Sequence, residues 1–388
     1  MNRSLGIVFV AFLATLAQYT QAQVTSCDAA VTLEGAEIHV SPGSDDRAAL
    51  QCAFDEAVER GVQTIRLAAG IYELADAVEI ANFVGRLQGR SSEQTTVRHA
   101  GESAFIFHRG APSIRSMTIE ATRQQGDVTS IDFRGSESNC NQRVIFAEID
   151  RVDFVAPEPE PATFQYAFRA ENPSCDNPRL LGSLTVNRSS FSGYRTAGRA
   201  VMGDAARIVI RTNRYENVGI CMFVSESNAD FSFLGNICNF NGLGVGSSNL
   251  GDDVDRNYMR IRENRFHSTG TSFGRCIVLE NTSTRSVGAS IEKNTCEIEG
   301  VSAATNPGAI YLDGLDAPSI VDNIFRGTMD IIVVDNTNDL FINRNEFSSQ
   351  FVKRDISIGP GSRRTVMEAA AGSLSVRDLG IDTIYLPQ

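Results

Sequence analysis

The chain has 388 residues, with 35 lysine and arginine side chains against 47 aspartate and glutamate side chains, and a formal net charge of −12 at pH 7. This negative charge argues against nucleic acid as a partner, because phosphates would be repelled over most of the surface. The length is sufficient for two ordinary domains or for one long repeat fold.

The N-terminal segment predicts export. Asn2 and Arg3 precede an apolar run from Leu5 to Ala17, and small residues follow up to Ala22, which is the pattern of a cleavable secretory signal. The apolar run of about 13 residues is too short for the roughly 20 that span a bilayer. We expect cleavage after Ala22, no stable membrane insertion, and a location in the periplasm or the extracellular medium, between which the sequence does not decide.

A short amphipathic helix is predicted next. Ser44 or Asp45 can cap its N-terminus, and Gly61 can end it after about Arg60. Its expected apolar face comprises Leu50, Phe54 and Val58. Such a helix would cover the exposed strand edges at the start of a repeat fold.

An internal repeat dominates the second half of the chain. Each copy has an apolar residue, two variable residues, an asparagine, one more residue and a bulky or sulfur-containing residue. The copies are Ile210–Asn213–Tyr215, Phe233–Asn236–Cys238, Ile261–Asn264–Phe266, Ile291–Asn294–Cys296, Ile320–Asn323–Phe325 and Ile342–Asn345–Phe347. A second apolar run follows each asparagine after a polar or glycine-rich loop. Short strands repeated at intervals of 22 to 30 residues predict a parallel coil whose turns stack on one another.

The repeat assigns each position a structural role. Along a strand, Ile208 and Ile210 should face the core while Val209 and Arg211 face outward. Each asparagine is expected at a bend with left-handed backbone geometry. Stacked from coil to coil, Asn213 to Asn345 would form a hydrogen-bonded ladder that serves the fold.

The eight cysteines all lie in the exported part, and an even number there suggests four disulfides. The repeat register places Cys221 and Cys276 at one strand position, and Cys238 and Cys296 at another position in the following coils. This register predicts the disulfides Cys221–Cys238 and Cys276–Cys296. Proximity along the chain then suggests the pairs Cys27–Cys52 and Cys140–Cys175.

The segments Asp45–Gln51 and Val62–Leu74 resemble the opening of pectin-lyase-like right-handed β-helix proteins. The resemblance implies an all-β fold, a single-stranded right-handed parallel β-helix with an N-terminal capping α-helix. The expected divisions are a signal peptide (1–22), an N-terminal cap (23–62), the β-helix (63–360) and a C-terminal cap or tail (361–388). The superfamily includes polysaccharide lyases, glycoside hydrolases, epimerases, phage tailspikes and proteins without known activity, so the fold does not select a reaction.

The first candidate for chemistry is the acidic loop Gly251–Tyr258. Its Asp252 and Asp253 could act as the acid and base of a glycoside hydrolase or hold calcium, the one cofactor considered. The Gly-Asp-Asp sequence is similar to the paired-aspartate motif of polygalacturonase-like hydrolases, although the Asn-Thr-Asp, Gly-His-Gly and Arg-Ile-Lys motifs are missing. A solvated acidic loop is the alternative interpretation.

The second candidate is a stripe of arginines. Arg211 and Arg262 occupy the same outward position, two residues before the asparagine, and could bind uronate carboxylates or take a proton in a lyase. The expected substrate-binding neighbours are Arg207, Arg256, Tyr258 and Arg260. Surface ion pairs with Glu216, Asp252 or Glu263 are the alternative role of these arginines.

The third candidate is His267, which follows the turn beside this stripe and could act as a base. No two of the four histidines lie at the spacing of zinc ligands, so no metal ligand is assigned. A solvated turn histidine is the alternative.

These features lead to two close functional hypotheses. One is a monomeric exported β-helix protein that binds or acts on a polysaccharide that can be anionic, with lyase activity ahead of hydrolase activity. The other is a non-catalytic structural or adhesive β-helix protein. A trimeric tailspike-like fibre is disfavoured, because the signal peptide directs the chain into an export pathway.

Overall fold

The computed structural model of the protein describes residues 22–23, 27, 30–123, 126–134, 145–157, 164–171, 181–201, 207–225, 230–248, 257–268, 274–281, 287–298, 308–327, 331–347, 356–368 and 376–386. Residues 1–21 of the predicted signal peptide lie outside this part. Within it, no helix is both long enough and apolar enough to cross a bilayer.

Three sheets, which we name A, B and C, run along the molecule. Sheet A contains Ala22–Gln23, Val31–Glu34, Glu37–Val40, Thr64–Leu67, Phe83–Gln88, Leu181–Asn187, Arg207–Arg211, Asp230–Leu234, Asn257–Arg262, Val287–Glu292, Ser319–Val321, Phe341–Asn343, Val366–Glu368 and Ile384–Leu386. Sheet B contains Gly70–Leu74, Thr95–His99, Ser190–Ser192, Arg265–Ser268, Thr295–Ile298, Ile324–Gly327 and Glu346–Phe347. Sheet C contains Val78–Ile80, Ser103–Phe107, Val128–Phe133, Gln165–Ala170, Thr196–Val201, Arg275–Glu280, Ile310–Asp313, Ile332–Asp335, Ile356–Ile358 and Val376–Asp378.

Four longer strands bend from one sheet into the next. Gly110–Ala121 and Ile145–Val155 pass from sheet A into sheet B, and Arg214–Ser225 and Ile237–Ser248 pass from sheet B into sheet C. The first three strands of sheet A, which precede the helix, pair antiparallel with one another. From Glu37–Val40 onward, successive coils pair in parallel within each sheet, and parallel crossovers of this kind are right-handed in nearly all proteins. The predicted right-handed parallel β-helix is confirmed, with three strands in a full coil where the sequence required at least two.

One helix, Asp46–Arg60, closes the N-terminal end of the described coil. Asp45 caps it by accepting a hydrogen bond from Ala48 N at 2.9 Å, and Gly61 ends it with a left-handed φ of 68°. Phe54 packs edge-on against Phe83 in the first coils. The expected buried position Val58 is 39% exposed. At about 100° per residue, a position eight residues after Leu50 lies roughly 80° off the buried face, and Ala57 takes its place there.

The asparagine ladder is present. Asn264 Oδ1 accepts hydrogen bonds from Asn236 N (2.8 Å) and Asn236 Nδ2 (3.1 Å), and Asn264 Nδ2 donates to Asn294 Oδ1 at 2.9 Å. The left-handed residue of each bend is the one before the asparagine, for example Glu263 with φ 58°, and not the asparagine itself. This offset lets the asparagine side chain turn into the core, where it satisfies the backbone groups of the bend.

Disulfides join Cys27 to Cys52, Cys221 to Cys238, and Cys276 to Cys296, the pairs that register and proximity predict. The second and third link neighbouring coils across sheets C and B. Cys140 and Cys175 lie outside the described residues, so their pairing stays a prediction.

Peptide mapping under non-reducing conditions should recover the disulfide-linked peptides Cys221–Cys238 and Cys276–Cys296. The same digestion after reduction serves as the control and should release the four peptides separately. Free thiols at these positions in the folded protein would contradict the register of the coils.

The C-terminal segment, where a cap or tail was expected, contains further strands. Strands Ile356–Ile358, Val366–Glu368, Val376–Asp378 and Ile384–Leu386 pair in parallel with the strands before them. Their apolar residues alternate with polar or exposed ones, so each strand can add to the coil. The described part of this segment therefore extends the β-helix to Leu386.

A buried polar network lies in the core near the N-terminal end. His99 is fully buried, with Nε2 2.9 Å from Ser130 Oγ and Nδ1 3.3 Å from the Gly101 carbonyl oxygen, and the hydroxyl of Tyr194 lies 2.8 Å from Ser130 Oγ. Burial lowers the pKa of His99 from 6.5 to about 4, against the opposing hydrogen bond to Gly101. The imidazole is therefore neutral in the folded protein at neutral pH.

His99 should make the protein sensitive to acid. The unfolded chain binds a proton at this residue below pH 6.5 while the folded chain resists it down to about pH 4, so stability is lost as pH falls through this window. The loss attributable to His99 is about 3 kcal/mol at most. Urea unfolding at pH 7 and pH 4 should show a larger loss for the wild type than for His99→Gln, whose side chain does not titrate. Equal losses of stability in the two proteins would contradict the conclusion that His99 is neutral in the folded protein.

Candidate functional site

The sequence-predicted arginines lie on sheet A. Arg211 and Arg262 both pair with Leu234, so they share one outward column with a coil between them. Arg262 Nε forms ion pairs with Glu263 at 3.2 Å and Glu292 at 3.9 Å. The register prediction is confirmed, while a role of these arginines in substrate binding stays a hypothesis.

The candidate substrate-binding residues Arg207, Tyr258 and Arg260 form a small group at the opposite end of these sheet A strands. Asp230 pairs in register with both Arg207 and Tyr258. The Arg260 guanidinium lies 3.0 Å from Asp230 Oδ1 and over the Tyr258 ring, 5.0 Å from its centroid. Arg207 and Arg211 are four residues apart on one strand, so this group lies roughly 13 Å from the Arg211 column.

His267 lies on sheet B, across the asparagine bend from Arg262, with Nδ1 3.6 Å from Glu297 Oε2. Asp252, Asp253 and Arg256 lie outside the described residues, in the connection between the strands that end at Ser248 and begin at Asn257. The described catalytic candidates are therefore spread over two sheets.

A more concentrated set of titratable side chains lies on the outward face of sheet C. Glu280, Asp313 and Asp335 occupy the same position on three successive strands, and Asp313 pairs in register with each of the other two. We call these three residues the acidic column. Neighbouring parallel strands lie about 4.8 Å apart, so the carboxyl groups are close neighbours along the coil axis.

The environments of the two downstream carboxyls differ. Burial raises the pKa of Asp335, and the negative charge of Asp313 raises it further. Asp313 Oδ1 accepts a hydrogen bond from Asn336 Nδ2 at 2.9 Å, and the Tyr311 hydroxyl lies 3.5 Å from Asp313 Oδ2. The Asp335 carboxyl therefore has a raised pKa, while the Asp313 carboxyl has hydrogen-bond partners at both oxygens.

Tyr311 and Arg275 complete the site. The Arg275 guanidinium lies over the Tyr311 ring, 5.6 Å from its centroid. Burial raises the pKa of Tyr311 to about 12, and the charges of Asp313, Asp335 and Glu280 add to this shift. Burial lowers the pKa of Arg275, against the opposing charge of Glu280. The tyrosine is therefore a neutral hydroxyl beside a cation and three carboxyl groups.

Gly359 makes room for the Asp335 side chain. It follows Ile358, the register partner of Val334, so it occupies the next level of the acidic column. A Cβ added at Gly359 would overlap with Asp335 Oδ1. The small residue therefore fixes where the carboxyl group can lie.

Gly359→Ala should displace the Asp335 carboxyl and shift its pKa, because the added carbon takes the place of Asp335 Oδ1. NMR titration of the Asp335 carboxyl carbon measures the shift, and the thermal unfolding midpoint should change little. Gly43→Ala is the matched control, since its added carbon would make an ordinary contact 3.6 Å from Ala30 Cβ. An unaltered Asp335 pKa in Gly359→Ala would mean that Gly359 does not fix the position of this carboxyl group.

The acidic column was not predicted, although its pattern is present in the amino-acid sequence. The apolar runs Cys276–Leu279, Ile310–Leu312 and Ile331–Val334 are each followed directly by an acidic residue. Only the alignment of these runs on one sheet shows that the three carboxyl groups stack. Among the described residues, no three histidine, cysteine, aspartate or glutamate side chains converge closely enough to hold a metal ion.

No family model matches the chain, and neither does any curated protein. Solved structures match its fold. The catalytic unit of a thermostable GH87 α-1,3-glucanase from Streptomyces thermodiastaticus strain HF3-3 gives a TM-score of 0.59 at 11% identity, over 92% of this chain and 70% of that one. The Agl-KA catalytic domain gives 0.53 at 15% identity, over 89% and 66%. The Dettilon tailspike protein gives 0.53 at 12% identity, over 88% and 68%.

The chain thus spans about two thirds of the length of these three proteins. At such identities the likeness shows the fold alone.

Proposed function

We propose, from the premise that this chain has the pectin-lyase-like right-handed parallel β-helix fold, that it is an exported enzyme acting on a polysaccharide along the outward face of sheet C. The observation that carries the proposal is the acidic column, in which Asp313 and Asp335 are register neighbours and the pKa of Asp335 is raised. The glucanase named among the structural neighbours supports a carbohydrate substrate. An elongated lateral face also suits an extended sugar chain.

Hydrolysis of a glycosidic bond is the reaction that this geometry favours. Glycoside hydrolases use one carboxylic acid to protonate the leaving oxygen and one carboxylate as nucleophile or base. A carboxyl group with a raised pKa beside a second carboxyl group can provide these two roles. We assign the acid to Asp335 and the carboxylate to Asp313. Adjacent strands about 4.8 Å apart place the pair near the ~5–5.5 Å separation of retaining enzymes.

The connection that contains Asp252 and Asp253 begins beside this site. Ser247, one residue before the strand ends, pairs in register with Leu279, the neighbour of Glu280. Asp252 and Asp253 themselves lie outside the described residues, so their role stays a hypothesis from the sequence.

A β-eliminating lyase is the second candidate, and the Arg275–Tyr311 contact favours it. In a lyase acting on a uronate, the arginine would bind the carboxylate of the sugar, a carboxylate of the acidic column would take the C5 proton as the double bond forms, and the tyrosine hydroxyl would protonate the departing C4 oxygen. The acidic column would then repel the substrate carboxylate, which is why we place hydrolysis first.

A panel assay of the purified protein tests the proposal. Pectate, alginate, glycosaminoglycans and neutral glucans are incubated with and without calcium, and reducing ends are measured together with the absorbance of unsaturated uronates. We expect reducing ends without unsaturated products, with retained anomeric configuration by NMR. Unsaturated products would establish the lyase alternative. No product from any polymer with folded protein would contradict an enzymatic role and favour the structural or adhesive hypothesis.

A further inference from the structure

A cluster of arginine and aromatic side chains lies on sheet C several coils before the acidic column. Phe164, half exposed, stacks on Tyr166 with the ring planes 4° apart and the centroids 6.5 Å apart. Arg195 lies over the Phe164 ring at 5.4 Å, and Arg169 and Arg199 lie over the Tyr166 ring at 5.7 and 5.8 Å. We call these five residues the arginine–aromatic platform.

The platform carries more positive than negative charge. Arg169 forms an ion pair with the buried Asp132 at 2.8 Å, and Arg134 pairs with the same carboxylate at 2.6 Å. The contact between Arg199 Nε and Glu171 is 3.6 Å long, and this buried nitrogen has no hydrogen-bond acceptor among the described residues.

Three guanidinium groups, those of Arg134, Arg169 and Arg199, thus lie beside two carboxylates among the described residues, in a protein whose net charge is negative. The local excess of positive charge favours an anionic ligand.

The platform shares a face with the acidic column. From Arg199 the register runs through Phe223, Gly246 and Val278 to Tyr311. These four steps between strands correspond to about 19 Å along the coil axis. Apolar and small residues occupy the positions between them. The outward face of sheet C therefore has a basic, aromatic region at one end and an acidic region at the other.

We infer that the arginine–aromatic platform is a binding subsite for a negatively charged sugar unit of the polysaccharide that the acidic column acts on. This inference rests on the proposed function and specifies its substrate class. The half-exposed Phe164 ring offers apolar contact area to a sugar ring, and guanidinium groups bind carboxylate or sulfate oxygens in pairs. Because the acidic column would repel a charge placed beside it, the polymer carries its anionic group at the platform and a neutral or shielded unit at the column.

Equilibrium binding by calorimetry tests the inference without requiring turnover. The probes are a galacturonate hexamer, its carboxyl-reduced neutral counterpart, and a sulfated heparin hexasaccharide. Phe164→Ala and Arg195→Gln alter exposed side chains, so folding is expected to persist. Arg265→Gln, an exposed arginine on sheet B, is the matched control.

We expect one acidic hexamer to bind the wild type at least tenfold more tightly than the neutral hexamer, and binding to weaken with salt. Phe164→Ala and Arg195→Gln should each lower that affinity about tenfold, and the control should not. Tighter binding of the galacturonate hexamer would identify the carboxylate as the recognised group, whereas tighter binding of the heparin hexasaccharide, which carries both groups, would indicate that sulfate adds to recognition. Equal affinity for the neutral hexamer, or no effect of either variant, would overturn the inference.

The failure of the proposed function gives a different result. If the acidic column is not catalytic, Asp335→Asn leaves any turnover unchanged while the platform still binds the acidic hexamer. If the platform is not a subsite, the acidic hexamer binds Phe164→Ala and Arg195→Gln as tightly as the wild type, while Asp335→Asn still lowers the turnover of the polymer that the wild type cleaves.

Discussion

Exchange of Asp335 for asparagine is expected to lower kcat by about 10³-fold on any polysaccharide that the protein cleaves. The amide has nearly the shape of the acid but cannot deliver a proton to the leaving oxygen. KM should change little, because the proposed binding face extends along sheet C well beyond residue 335. Initial rates of reducing-end release, measured over a range of substrate concentrations, separate these two effects.

Asp313→Asn should lower kcat to a comparable extent and should also lower the pKa of Asp335. Removing the negative charge of Asp313 takes away one of the two causes that raise the pKa of Asp335, so that pKa should fall toward the ordinary aspartate range. NMR titration of the Asp335 carboxyl carbon in both proteins measures the shift.

Asp322→Asn is the matched control for both exchanges, since Asp322 pairs with Arg344 at a bend between sheets A and B. Full activity in Asp335→Asn, or an Asp335 pKa unmoved by Asp313→Asn, would contradict the assigned pair.

Asn264→Ala should lower the free energy of unfolding by about 4 kcal/mol. The exchange leaves Asn236 N and the Phe233 carbonyl oxygen without the side-chain partners that they have at 2.8 Å. These groups are buried, and a small cavity adds to the cost. Urea unfolding at neutral pH measures the loss.

Asn345→Ala provides the comparison for the ladder. Asn345 is the last asparagine of the ladder and is only partly buried. Water can therefore replace some of the hydrogen bonds that its side chain makes. We expect its loss to be less than half that of Asn264→Ala. Equal and small losses at both positions would mean that the ladder contributes little to stability.

The coil could be predicted from the sequence because its determinants are local and repeated. The spacing from Asn213 to Asn345 fixes where each coil bends, and the cysteine positions fix how neighbouring coils align. The detail that failed was the left-handed residue of the bend, which precedes the asparagine, as Glu263 shows. A repeat pattern locates a bend but does not reveal which residue in it adopts the unusual backbone conformation.

The candidate site was harder to predict because it is assembled from residues far apart in the chain. Asp313 and Asp335 are separated by a full coil, and each ends an ordinary apolar strand. The sequence analysis instead favoured side chains that are adjacent in sequence or share the conspicuous asparagine motif, such as Arg211 and His267. Those side chains lie on sheets A and B. The orientation of sheet C relative to the asparagine bend became evident only from the pairing of the strands.

The most direct test of the proposed site is a crystal structure of Asp335→Asn with a bound oligosaccharide from the polymer that the wild type cleaves. We predict a sugar chain along sheet C, with a glycosidic oxygen beside residue 335 and an acidic unit near Arg195. A sugar chain bound instead over Arg211 and Arg262 on sheet A would contradict the assignment of both the acidic column and the arginine–aromatic platform.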